Sequence, residues 1–402
     1  MKLWTSFLKW KNNFYIANNR TAFALLWIIS FFVSLASGCR ATDEKNDTVA
    51  NVKNELLRPR GKLDGKIELT LRRTVVLDSR KDGFIQSLWD LEFQNNRFYA
   101  LDRIGAAITV FDSTGNYLQT MDVDRNVQFN RLLTELIVLP SGDIYTKDEY
   151  LRTVYHLNPK GKIVSKIQHA KHGKGEVLIT LGGLGLVQSD SDQILYSTIF
   201  NDMNSKEYLT KSNLIASFDS KGNLIAQFAK HAQNYARFNL VNFSESTFTI
   251  WKNEIYFLEA ASHKIRVFSL GGTFLRSFGT YGLHQRVIDR RLKNNATMSE
   301  IKQYVLSYSA FDKIFVCPHL LENQPPAVVV TYRNPLPSQK GSESRYYLKL
   351  YQTDGHLLLN DLELPGKLFS VVESKDGRTI MVNLDNSPIH REIGFFKLKV
   401  TP

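Results

Sequence analysis

The sequence predicts an all-β chain closed into a ring of six four-stranded blades, a six-bladed β-propeller with a short helical insertion. Three observations predict it. One glycine-bearing turn signature recurs five times between alternating apolar runs, a second turn signature recurs six times upstream of it, and a spare strand stands at the opposite end of the chain from the unit that lacks one.

The first signature reads Phe111-Asp-Ser-Thr-Gly115, Leu157-Asn-Pro-Lys-Gly161, Phe218-Asp-Ser-Lys-Gly222, Phe268-Ser-Leu-Gly-Gly272 and Tyr351-Gln-Thr-Asp-Gly355. Glycine at the fifth place supplies the positive φ of a tight hairpin turn. Alternating runs flank each copy, as in Ile265-Arg-Val-Phe268 and Phe274-Leu-Arg-Ser-Phe278, so each copy reads strand, turn, strand. The second signature is an apolar run, a polar turn and a strongly apolar strand. It is clearest around Asn95-Asn96, Ser141-Gly142 and Asn253, recurs through 186–196 and 370–382, and is degenerate between Ile314–Val316 and Ala327–Thr331.

Six upstream hairpins against five downstream ones leave the sixth unit, ending in Glu392–Val400, one strand short. The run Ile67–Leu77 is the strand left over, and pairing the two closes the ring and removes an open edge. At ~40–45 residues per blade, residues 66–402 exceed six blades. The excess falls at Asn201–Ser212, at Gly282–Ser307, and in the gaps around Leu320–Pro326 and Asn334–Ser344. The second of these carries Thr297-Met-Ser-Glu300, a capping box that predicts a helix from Ile301.

Phe and Tyr number 25 and 17, residues suited to pleated, half-buried surfaces. The formal net charge is +12, of which Lys2, Lys9, Lys11 and Arg20 precede Cys39 with no acid among them. The rest reads as a solvated basic surface, and no nucleic-acid-binding motif is present. Cys39 and Cys317 are the two cysteines, and Cys317 sits in the apolar run Ile314–Cys317 as a small buried hydrophobe.

Residues 1–21 are basic and polar, Ala22–Leu35 is uncharged and apolar, and Ala36-Ser37-Gly38-Cys39 follows. This is the order of a secretory signal, with an apolar core shorter than the ~20 residues that span a bilayer. Small residues before a cysteine resemble a bacterial lipobox, although Ala36 stands where an aliphatic residue is usual. The resemblance implies lipid attachment at Cys39 after removal of 1–38. Residues 39–65 are polar and read as a flexible tether to the propeller of 66–402.

Ile255–Gly279 resembles an NHL-type repeat, and the chain from 66 to 402 is similar to the six-bladed β-propeller lipoproteins of Bacteroidetes-type bacteria. That likeness implies a cell-envelope protein lipid-anchored to the outer membrane, periplasmic or surface-exposed. It implies a binding or interaction scaffold, for an envelope protein or glycan, rather than an enzyme. The alternative is a metal-dependent hydrolase or lyase of lactonase-like or amidating-lyase-like type.

Candidate site residues come from one repeat position, just after the second strand of each unit. Asp102, Asp148, Glu259 and Asp385 fill it in the first, second, fourth and sixth units, while the third and fifth offer Asn201 and Arg333. Second strands share a direction, so the four acids are expected on one face around the channel mouth, with Arg103, Lys147 and Arg333 as basic neighbours. Aspartate at such positions also commonly caps its own turn. Two missing acids leave too few ligands for a tight divalent site, so no metal or cofactor is expected and a polar or charged ligand is. His169 and His172, between Lys171 and Lys174, read as a basic interblade loop.

Overall fold

Each group of consecutive strands pairs in chain order into its own antiparallel sheet, and six such sheets surround an axis in the computed structural model. It describes residues 66–78, 85–123, 132–168, 170–172, 175–188, 193–201, 208–243, 245–294, 296–321, 324–336, 343–374, 377–385 and 390–401. All fall in one unit, Glu55–Pro402; the other, Met1–Asn54, lies outside them, as do Cys39 and the rest of the expected tether.

The sheets are the predicted blades. Their inner strands are Leu88–Gln94, Leu133–Val138, Gly175–Gln188, Ser246–Trp251, Ala310–Cys317 and Lys367–Ser374, and each touches the next around a closed circle. The sixth blade takes its outermost strand from the N-terminal side. Lys66–Asp78 pairs antiparallel with His390–Thr401, Ile67 opposite Val400 and Leu77 opposite Arg391, with one irregularity between Leu71 and Arg73.

Between successive blades lie six apolar cores. Leu91, Phe98 and Phe111 of the first blade meet Val372, Met381 and Phe395 of the sixth, and the same sandwich repeats around the ring. Cys317 belongs to one of these layers, and burial pushes its thiol up to about 12. A buried, neutral thiol packs as a hydrophobe.

The recurring turn does two jobs. All five glycines have positive φ, and in four of the turns the polar residue that opens the turn accepts backbone N–H groups, as Asp112 does from Thr114 and Asn116 and Asp219 from Lys221 and Asn223; in the fifth Asp354 accepts from His356. Each glycine also lies against the outer strand of the preceding blade: Gly115 on Val76, Gly161 on Met121, Gly222 on Ile167, Gly272 on Phe228 and Gly355 on Phe278. A Cβ at Gly272 would stand 2.6 Å from the Phe228 ring. The signature is therefore a joint between blades as well as a bend within one.

Two departures from the sequence-based expectation have local causes. The third blade has five strands, because Ala170–His172 folds back on Gly175–Gln188. His172 thus belongs to a strand, not an interblade loop; His169 lies outside the described residues. A helical cap is also larger than expected. Helix α1 is Tyr208–Lys211, α2 is Gln233–Phe238, and α3 is Met298–Ser307 behind the predicted Thr297–Glu300 capping box. Tyr235, Leu240 and Phe243 pack with Ile288, Leu292 and Tyr304, and onto Ala260 and Ala310 at the blade ends. The α2 segment was missed because it is short and opens without a side-chain cap.

Gly272→Val would force a β-branched residue into the left-handed region and into Phe228. It should cost about 3 kcal/mol of unfolding free energy in a denaturant titration. Deleting 66–77 should leave the sixth blade with a bare edge, and the expected outcome is aggregation on size-exclusion chromatography.

Candidate functional site

The polar groups of the ring gather at its axis, on the inner strands. A strand buried on both faces should be apolar throughout, yet the first inner strand carries Asp90 and Glu92, the second Glu135, and the fifth Asp312 and Lys313.

Lys313 Nζ donates to Asp90 Oδ1 at 3.1 Å and lies 3.9 Å from Glu135 Oε2. Asp90, 2% exposed, also accepts the N–H groups of Leu91 and Leu136, so one carboxylate links three blades. From the sixth blade, Ser370 Oγ donates to Glu92 Oε2 at 3.3 Å and Lys367 Nζ to the Trp89 carbonyl at 3.3 Å. The ring of Trp89 lies under Arg103, whose guanidinium carbon is 3.8 Å from its centre, and 5.0 Å from Lys367 Nζ. Arg103 also pairs with Glu149 at 3.3 Å.

Burial first, and then the crowding of charges, set the proton affinity of these groups. Burial, then Asp90, raises Glu92 to about 8 against the pull of Lys313. Burial raises Glu135 to about 7, with Lys313 opposing and Asp90 adding. For Lys313, burial acts downward, but Asp90 and Glu135 outweigh it and hold the ammonium firmly protonated. Glu149 is raised by burial, with Arg103 opposing.

Three of the repeat-position acids lie at the mouth end of the ring, each in bonds of its own. Register places Asp102 opposite Leu88, Asp148 opposite Leu133 and Glu259 opposite Ser246, each at the start of an inner strand. Asp102 accepts from Gln86, Ser87, Ile104 and Gly105 backbone N–H groups and so fastens its own corner. Asp148 accepts from the Leu151 N–H at 3.0 Å. Glu259 binds His231 Nδ1 at 2.8 Å, the Ala232 N–H and Arg266 beneath the cap. Asp385 is exposed. Asp102 and Asp385 both act on Arg391, and among the described residues no three His, Cys, Asp or Glu side chains are grouped as metal ligands.

Of the basic residues named from sequence, Arg103 stands at the mouth. Lys147 is fully buried between blades, donates to Thr198 Oγ1 at 2.9 Å and Ser197 Oγ at 3.3 Å, and is lowered by burial to about 8. Arg333 is raised, with burial opposed by Asp312 and Glu245. Sequence reasoning missed Trp89, Asp90, Glu92, Glu135, Asp312, Lys313 and Lys367. Their signal was a charge inside an otherwise apolar inner strand.

At the mouth a cavity of about 50 Å³ opens among Trp89, Glu135, Asp312, Lys313 and Lys367, with Phe311 in its wall. That is room for a few water molecules or a small polar molecule. At the other end of the channel Glu92, Asn95, Asn96 and Arg378 line a wider cavity of about 390 Å³.

No protein-family model and no curated protein matches the sequence. Among solved structures, a member of the DUF4221 family from Bacteroides vulgatus superposes with a TM-score of 0.60 at 13% identity, over 84% of this chain and 99% of its own. A protein from Bacteroides fragilis described as exported gives 0.47 at 10%, over 84% and 96%. A streptogramin B lyase gives 0.43 at 12%, over 81% and 98%. The first likeness extends the same six-bladed fold to a Bacteroides protein.

Glu92 and Glu135 take up protons in the folded state that the unfolded chain, with carboxyls near 4.5, releases. Their contribution to stability is complete below about pH 4.5 and is lost as pH rises through 7 to 8. Thermal melts at pH 5, 6.5 and 8 should show this decline, and Glu135→Gln should flatten it. Asp102→Ala strands four backbone donors and should cost about 3 kcal/mol in a denaturant titration.

Proposed function

We propose that this protein is a lipid-anchored component of a bacterial cell envelope, and that its propeller binds a polar or charged ligand at the axial mouth. The anchor rests on the basic leader, the apolar run and Cys39. A thioether-linked lipid holds because each buried methylene contributes about 0.8 kcal/mol, and more than one chain is needed for a stable hold.

The observation that carries the binding reading is Lys313. Carboxylates on the axis of such a ring are placed to grip a cation, and here the chain supplies its own: the ammonium sits between Asp90 and Glu135. A built-in counter-ion suits a scaffold whose ligand meets the side chains of the mouth directly. Arg103 stacked on Trp89, the ammonium of Lys367 and the exposed Glu245 offer charges of both signs around a small cavity.

Cys39→Ser should release the protein from the membrane fraction or leave it unprocessed. A variant that fractionates and migrates like the parent would rule out lipidation. Immobilised parent protein, challenged with detergent-solubilised envelope material, should retain a component that Arg103→Ala reduces several-fold.

A further inference from the structure

Two groups around the mouth cavity keep unused hydrogen-bonding capacity, and they have opposite character. Lys367 comes from the start of the sixth inner strand. Its ammonium donates to the Trp89 carbonyl and lies near the rings of Trp89 and Phe369, but forms no ion pair among the described residues. Asp312 comes from the start of the fifth inner strand, and its Oδ2 is buried and accepts no hydrogen bond. An ammonium has three N–H donors and an ionised carboxylate about four acceptor sites. Both residues line the same cavity.

The other charges there are accounted for. Lys313 is matched by Asp90 at 3.1 Å, and Glu149 by Arg103 at 3.3 Å. Glu135 lies 3.9 Å from Lys313. Arg333 is the cation on which Asp312 and the exposed Glu245 act together, two acids against one base. Lys367 also acts on Glu135, and Asp312 on Arg333 and Lys313, so what stays open is hydrogen-bonding capacity: spare N–H donors on Lys367 and the bare Oδ2 of Asp312. A buried acceptor without a donor costs about 1–3 kcal/mol, which a ligand that supplies the donor recovers.

We infer that the mouth binds a small zwitterion, an α-amino acid or short peptide, with its carboxylate on Lys367 and its ammonium on Asp312 and Glu245. The inference rests on the mouth being the binding site. A simple anion would satisfy Lys367 and leave Asp312 Oδ2 stranded beside a new negative charge. A simple cation would do the reverse. Ser246 and Thr247, also in the cavity wall, add hydroxyls that can donate or accept.

The test uses glycylglycine, N-acetylglycylglycine, glycylglycinamide and, as a neutral control, galactose. Binding is read by calorimetry and by fluorescence of a Trp251→Phe variant, in which Trp89 is the single tryptophan after residue 38. Glycylglycine should bind at least tenfold more tightly than either blocked form and should change the Trp89 signal. Lys367→Met should abolish the advantage of the free acid over the amide while keeping that of the free amine; Asp312→Asn should do the opposite. Equal binding of the blocked forms, tighter binding of the amide or of galactose, or no binding of any probe at high millimolar concentration would overturn the zwitterion. In the first two cases a Trp89 response would keep the mouth as the site. Heat of binding without any Trp89 response would remove the mouth reading itself.

Discussion

Closure of the ring by two strands from opposite ends of the chain is the constraint on which the rest depends. Lys66–Asp78 against His390–Thr401 makes the sixth blade four-stranded, and that blade presents Val372, Met381 and Phe395 to the first. Without the N-terminal strand that interblade core would lose Val75 and Leu77, and the sixth blade would end on a bare edge. The axial charges need the circle of inner strands intact, because Asp90, Glu135, Lys313 and Ser370 come from four different blades. Their separations are set by the ring, not by any local turn.

The axis then trades stability for chemistry. Carboxyls held partly protonated by burial, and an ammonium locked between them, are worse than apolar packing unless every member is matched. Lys313 supplies most of that matching. The groups left with spare hydrogen-bonding capacity, Lys367 and Asp312, line the mouth cavity.

Much of the fold was legible because it is local and repeated. Glycine after an acceptor side chain marked five turns, Asn95-Asn96 marked a hairpin with two left-handed residues, and Thr297–Glu300 marked the start of α3. The spare strand at Ile67 fixed the closure. The site was less legible. Asp102 and Asp148 stand at the expected repeat positions, but an aspartate at a strand end finds backbone N–H groups within two or three residues, and that short-range bond captures it. Asp90 and Lys313 meet only when the first and fifth blades stand in one ring, a proximity that no spacing along the chain records. The α2 turn was hidden for the same reason, since Tyr235 is held by Phe243 and by the distant blade end at Ala261.

The closing strand also sets when this fold can exist. The partner of Ile67 is Val400, so the first strand of the propeller has to wait, unpaired and with its alternating apolar face uncovered, until the strand His390–Thr401 has been made. Contacts so distant in sequence form late and slowly. Until that last strand arrives the blades form an open array of hairpins, and only then a ring.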